Sequence, residues 1–291
     1  MKKLYLLIVF ALTCNYVGAQ EKDTLRVLAI GNSFSEDAVE QYLWDLGQEA
    51  GITFIIGNAY RGGWSLINHW KDARSKAVDT EYRKVLDGRR TNLGKFSLRD
   101  IITDEPWDVI TFQQVSQDAG RPDSYEPGLS LMIGYVKALA LSDSVRFGFH
   151  QTWAYAQDSE HSGFDNYNRD QFQMYSSITA AVENTMRYHD GDLLFYIPSG
   201  TAIQNARTAF FTKKGRHKDS SVNRDLTRDG YHLNYTIGRY IAACTWFEVL
   251  TGKSCIGMKS RPASLNPVSA STAQKAAHAA VLAPMKLTPM M

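Results

Sequence analysis

The sequence predicts an α/β protein, a three-layer α/β/α sandwich around a mainly parallel sheet of five strands. Two observations carry that class. Compact apolar or β-branched runs, too short for helices, recur along the chain, and segments with helical spacing separate them. With 291 residues and 44% hydrophobic content the chain can bury one large core, and no low-complexity stretch or linker divides it, so residues 20–291 are expected to form a single domain.

The strands are expected at Leu25 to Ile30, Thr53 to Ile56, Val109 to Phe112, Val145 to Phe149 and Leu193 to Ile197, each bounded by polar residues or glycine. Helical spacing runs over Asp37 to Glu49, Leu66 to Leu86, Leu129 to Leu141, Tyr167 to Tyr188 and Tyr235 to Leu250. Strands alternating with helices of this length imply βαβ units with helices on both faces. In such a sheet ligands sit beyond the carboxyl ends of the strands. Ser33, Arg61-Gly62-Gly63-Trp64, Gln113-Gln114, His150-Gln151-Thr152-Trp153 and Pro198-Ser199-Gly200 follow directly on the expected strands, so one rim gathers them. The tail from Ser271 to Met291 is given no role.

The first nineteen residues read as a secretory signal. Lys2 and Lys3 precede an apolar run from Leu4 to Leu12, and Val17-Gly18-Ala19 supplies small residues suited to cleavage. The run falls short of the ~20 residues a membrane span needs, and Cys14 sits in a poor context for lipidation. Export to the periplasm or the medium is the expectation. Cleavage removes two lysines and no acid, taking the formal charge from +2 to 0. A basic footprint for nucleic acid or an anionic membrane is therefore absent. Cys244 and Cys255 remain, either as a disulfide or as two small apolar side chains.

Ser33 follows the apolar run Leu28-Ala29-Ile30-Gly31 and opens a helix. A serine there often only caps the helix, yet at a strand-to-helix turn its hydroxyl projects from the sheet edge among outward-facing N–H groups, the setting a nucleophile needs. The run lacks the lysine of a phosphate-binding loop and the three spaced glycines of a dinucleotide site, and Gly-x-Ser-x-Gly fails at Ser35. Near the other end, Asp229-Gly230-Tyr231-His232 sets a carboxylate three positions before an imidazole. That spacing lets Asp229 bond Nδ1–H of His232 and leave Nε2 to take the Ser33 proton. The seven histidines are scattered, without a metal-binding spacing, and neither metal nor cofactor is expected.

These ordered blocks resemble the SGNH or GDSL hydrolase superfamily, and within it a group of secreted bacterial proteins. Gly31-Asn32-Ser33 matches the nucleophile block, usually Gly-Asp-Ser, and Asp229 with His232 matches the closing Asp-x-x-His block; the resemblance spans most of the mature chain. It implies a flavodoxin-like α/β/α sandwich, a Ser33–His232–Asp229 triad, and an oxyanion hole of Ser33 N–H, a glycine N–H and a side-chain amide. Gly63, with Gly62 as alternative, matches the glycine. The third block departs from the family pattern: Gly-x-Asn-Asp is replaced by Phe112-Gln113-Gln114-Val115-Ser116, leaving Gln113, or second Gln114, as the amide.

Trp153 and Tyr155 are candidates to stack on a sugar ring, or else packing aromatics, and His69 is given no role. The resemblance implies a secreted serine esterase removing acyl groups, acetyl foremost, from a small-molecule or polysaccharide ester. A non-catalytic glycan-binding protein and a lipase or thioesterase are the alternatives. Oligomeric state cannot be read from the sequence.

Overall fold

The computed structural model describes residues 23–210 and 224–290, so the leader and Cys14 lie outside the described residues. Among these, one sheet holds seven strands: β1 (Asp23–Gly31), β2 (Ile52–Tyr60), β3 (Thr80–Leu86), β4 (Arg89–Phe96), β5 (Val109–Phe112), β6 (Arg146–His150) and β7 (Phe195–Ile197). Their order is β4-β3-β2-β1-β5-β6-β7. The five strands from β2 to β7 in that list are mutually parallel, and counted along the chain their order is 2-1-3-4-5, the flavodoxin-like winding. Val27, Leu28, Ala29 and Ile30 of β1 are all buried, as a central strand covered on both faces requires.

Nine helices flank the sheet among the described residues: α1 (Ser33–Val39), α2 (Leu43–Glu49), α3 (Leu66–Ser75), α4 (Leu98–Ile102), α5 (Gly128–Lys137), α6 (Gln171–Tyr188), α7 (Ser199–Phe210), α8 (Ile237–Thr251) and α9 (Pro267–Leu282). Helices α1, α2 and α7 pack with α8, which also carries α9; α3 packs with α4 and α5 in the other layer.

Two expectations need correction. The helix over Leu66 to Leu86 ends at Ser75, where Lys76 turns left-handed (φ 56°), and Thr80–Leu86 is instead a strand. It pairs antiparallel with β2 on one side and with β4 on the other, adding two strands to the five expected. Asp87 and Gly88 connect them, both with positive φ (50° and 73°), the two-residue turn that suits a hairpin. The helix over Asp37 to Glu49 begins earlier, at Ser33, and breaks after Val39 before α2 resumes. The Ser271 to Met291 tail belongs in part to α9, which docks on α7 and α8. Cys244 and Cys255 are free and buried, and Cys255 Sγ donates to the Gln274 carbonyl at 3.5 Å.

Candidate active site

Asn32 caps α1, its Oδ1 accepting Phe34 N–H at 3.1 Å, so Ser33 is the first helical residue. In the stretch from Gly31 to Ser35 every residue is buried except Ser33, which stays partly exposed. Gly31 is required by what lies behind it: a Cβ there would meet the Gln113 side chain at 2.8 Å. The Ser35 hydroxyl sits 2.7 Å from the Asn32 carbonyl and 2.9 Å from Asn58 Oδ1, a packing role.

The structure brings Ser33, His232 and Asp229 together across 199 residues. His232 Nε2 lies 2.8 Å from Ser33 Oγ, and His232 Nδ1 lies 2.6 Å from Asp229 Oδ2. Asp229 Oδ1 also accepts the backbone N–H groups of His232 (2.8 Å) and Tyr231 (3.1 Å). Partial burial opposes the Asp229 charge, but these hydrogen bonds hold its carboxyl below the ordinary carboxylate range. Gly230 in the loop has φ 96° and lies so close to Ser159 that a Cβ would stand 3.0 Å from Ser159 Cα. Any side chain there is strained at that φ and presses on Ser159.

A second set of charges fixes the loop to the helix that Ser33 opens. Asp37, one helical turn beyond Ser33 and buried, accepts Leu233 N–H at 2.7 Å and pairs with Arg228 Nη1 at 2.9 Å and Arg239 Nη2 at 2.6 Å. Burial pushes its carboxyl up, against the pull of Arg239 and Arg228. Arg228 Nη1 also donates to the Leu233 carbonyl. Glu36 joins Arg83 of β3 (2.7 Å) and Arg239 of α8 (3.3 Å), so the edge hairpin, α1 and α8 share one ionic network. None of these residues was assigned from the sequence. The signal was there in Asp37 placed i+4 from Ser33, on the same helix face, and Arg228 beside Asp229.

Gly62 and Gly63 form an exposed turn after β2, with φ 69° at Gly63 and Trp64 N–H closing on the Arg61 carbonyl at 3.2 Å. Asn32 Nδ2 donates to the Trp64 carbonyl at 3.0 Å, and Arg61 N–H donates to Gly31 carbonyl at 3.0 Å, so this turn is clamped against the one that carries Ser33.

The glutamines stand elsewhere than expected. Gln113 is buried; its Nε2 donates to Asn32 Oδ1 at 2.7 Å and its Oε1 lies 3.1 Å from His150 Nδ1. It supports the Ser33 turn from behind instead of presenting an amide to a substrate. Gln114 accepts Leu66 N–H (3.2 Å) and Val115 N–H (2.8 Å) and donates to the Ser124 carbonyl (2.6 Å), tying α3 to the loop after β5.

Trp153 and Tyr155 take the packing alternative, because each is 0% exposed. Trp153 stacks on Phe34 with centroids 4.4 Å apart and donates Nε1–H to the Tyr231 carbonyl at 2.7 Å. Tyr155 OH meets Ser116 Oγ at 2.8 Å. Both build the floor under the site. His150 is wholly buried, bridging Gln113 and Ser199 Oγ (3.1 Å), and burial drives its pKa down to about 3. His69 is buried likewise, with its pKa lowered by burial to about 4 against the pull of a Gly31 backbone bond.

Among the described residues no helix is long and apolar enough to cross a membrane. Residues 26–280 match a family described as "Domain of unknown function (DUF4886)". A crystal structure of a DUF4886 family protein from Bacteroides uniformis ATCC 8492 is 44% identical, with 92% of this chain and 98% of that one covered and a TM-score of 0.84. A family 3 carbohydrate esterase from Clostridium thermocellum is 12% identical over 78% of this chain and 94% of that one, with a TM-score of 0.44. A GDSL-like lipase from Bacteroides thetaiotaomicron VPI-5482 is 12% identical over 77% and 84%, with a TM-score of 0.41. A search of curated proteins found no match.

Proposed function

The chain belongs to the DUF4886 family, and from that premise we propose that this member is a serine esterase, exported by its first nineteen residues, that removes acyl groups, acetyl foremost, from carbohydrate. The observation that carries the reading is the continuous run of short contacts from Ser33 Oγ through His232 to Asp229, at 2.8 and 2.6 Å. Serine is a poor nucleophile until a base takes its proton, and a base keeps the right tautomer only when its other nitrogen is held.

In the proposed reaction Ser33 Oγ forms a bond to the ester carbonyl carbon as its proton passes to His232 Nε2. Asp229 accepts from Nδ1–H and steadies the imidazolium that results. The carbonyl oxygen, now an oxyanion, is met by the N–H groups of Ser33 and Gly63. As the tetrahedral species collapses, the bond to the alcohol oxygen breaks and His232 returns the proton to that oxygen. Water repeats the sequence on the acyl-enzyme, releasing the acid and restoring Ser33. No cofactor enters the scheme.

Two backbone donors with no side-chain amide facing them also suit a second reading, a glycan-binding protein with little turnover, for which the inward placement of Gln113 speaks. Hydrolysis of short-chain aryl esters by the purified protein and by Ser33→Ala separates them. Turnover by the wild type that Ser33→Ala abolishes supports the esterase, and equal rates for both proteins remove it. Acetyl compared with long-chain esters then tests the lipase and thioesterase alternatives.

A further inference from the structure

The loop between β6 and α6 brings a second imidazole beside the triad. Ala156 N–H donates to the Gly230 carbonyl at 2.8 Å and Ser159 packs against Gly230 itself, so the loop rests on the centre of the Asp229–His232 segment. His161, half-buried on this loop, lies edge-on to Tyr231 with centroids 4.7 Å apart; Tyr231 in turn lies 4.2 Å from the His232 ring. Three rings thus stand in a row, His161, Tyr231, His232, and Tyr155 supports the first from below at 4.9 Å.

The hydrogen bonding fixes what His161 offers. Its Nδ1 accepts Gly163 N–H at 3.0 Å, so in the neutral ring the proton is on Nε2. Among the described residues that Nε2–H has no hydrogen-bond partner, while Nδ1 is engaged by Gly163 and the ring packs on Tyr155 and Tyr231. Burial, followed by the neighbouring His232, pushes the His161 pKa down, against the pull of Asp229, which favours the neutral donor.

Which part of a substrate meets this row follows from the chemistry. His232 must stand next to the departing alcohol oxygen, because it returns the proton there. The Gly62–Gly63 turn takes the carbonyl side. Tyr231, tilted against His232, therefore flanks the alcohol and not the acyl group. We infer that Tyr231 and His161 form the wall that receives the alcohol portion of the ester, with the Tyr231 ring packing on a pyranose face and His161 Nε2–H donating to one of its oxygens. The inference rests on the esterase reading and narrows it to esters of cyclic polyols.

The test compares kcat/KM for an acetylated methyl pyranoside and for an aryl acetate in the wild type, His161→Phe and His161→Gln. The Phe variant keeps a ring but loses the donor, and the Gln variant keeps an N–H. One neutral hydrogen bond is worth about tenfold, so His161→Phe should lower the ratio of pyranoside to aryl activity by about that factor, and His161→Gln should recover most of it. An unchanged ratio overturns the inference. A second readout does not need turnover: in Ser33→Ala protein, the acetylated pyranoside should shift the His161 Nε2–H signal in nitrogen NMR. No shift overturns the alcohol wall even where esters are hydrolysed. A shift in a protein whose wild type hydrolyses neither ester upholds the wall and sinks the esterase reading.

Discussion

Asp37 Oδ2 accepts the backbone N–H of Leu233 at 2.7 Å, which ties the helix opened by Ser33 to the residue directly after His232. The carboxylate is buried and shares two guanidinium groups, those of Arg228 and Arg239. In the proposed reaction the nucleophile and base come from distant segments and need such a tie, since a displacement of about 1 Å can cost ~100-fold in rate.

Asp37→Ala removes a buried acceptor shared by two guanidinium groups and leaves the Leu233 N–H without its acceptor; Arg239 keeps Glu36, and Arg228 keeps the Leu233 carbonyl. The expected result is a loss of about 3 kcal/mol or more in unfolding free energy. Chemical denaturation with the midpoint followed by circular dichroism measures it. Ester turnover should fall in kcat more than KM rises, because the loop that holds His232 loses its anchor on α1.

Asp229→Asn preserves the shape of the loop but exchanges an acceptor facing His232 Nδ1 for an amide that can stabilise the wrong tautomer. A fall in kcat on the order of 10³-fold or more is expected, by the logic of orienting carboxylates. Steady-state kinetics on an aryl acetate gives the number, and a loss of only a few fold would mean that Asp229 does not orient the base.

Gln113→Ala distinguishes a buttress from an oxyanion donor. A donor facing the substrate would cost ~100-fold in kcat with an unchanged melting temperature. The observed contacts imply a different outcome, because Asn32 Oδ1 and His150 Nδ1 lose their shared partner inside the protein. Stability should drop by about 1–3 kcal/mol, seen as a lowered melting temperature alongside any loss of rate.

Two buried histidines set the acid response of the fold. His150 and His69 have pKa values pushed from 6.5 down to about 3 and about 4, mainly by burial. Below pH 6.5 the unfolded chain takes up protons at these positions and the folded chain does not, so stability is complete above that pH and declines as pH falls toward 4. Each contributes about 1.4 kcal/mol per pH unit in that window. Denaturant midpoints between pH 7 and 4.5 should show the decline, and His150→Gln should flatten its slope.

The parallel strands were legible because burial on both faces forces near-continuous apolar runs, and Val109–Phe112 was read to the residue. The edge hairpin was not. Arg83, Lys84, Arg89 and Arg90 put charge on both faces of β3 and β4, which blurs the alternation that marks a half-buried strand, and only Asp87-Gly88 announced the turn. Helix α9 escaped notice because its buried side chains are mostly alanines, which give a weak apolar stripe. The meeting of Ser33, Asp229 and His232 was legible because a Ser at a strand-to-helix turn and an Asp three positions before a His are recognisable residue types at short spacings. The placement of Gln113, Trp153 and Tyr155 was not, since a residue following a strand can turn inward or outward with the same sequence. Asn32 decides the first case by offering Gln113 an acceptor, and Phe34 the second by offering Trp153 a stacking partner.

The 199-residue separation between Ser33 and His232 also has a kinetic meaning. Contacts so remote in sequence are closed late, after local helices and neighbouring strands have formed. Recovery of the proposed ester cleavage during refolding should therefore trail the return of helical signal, making turnover a clock for the docking of the Asp229–His232 loop on α1.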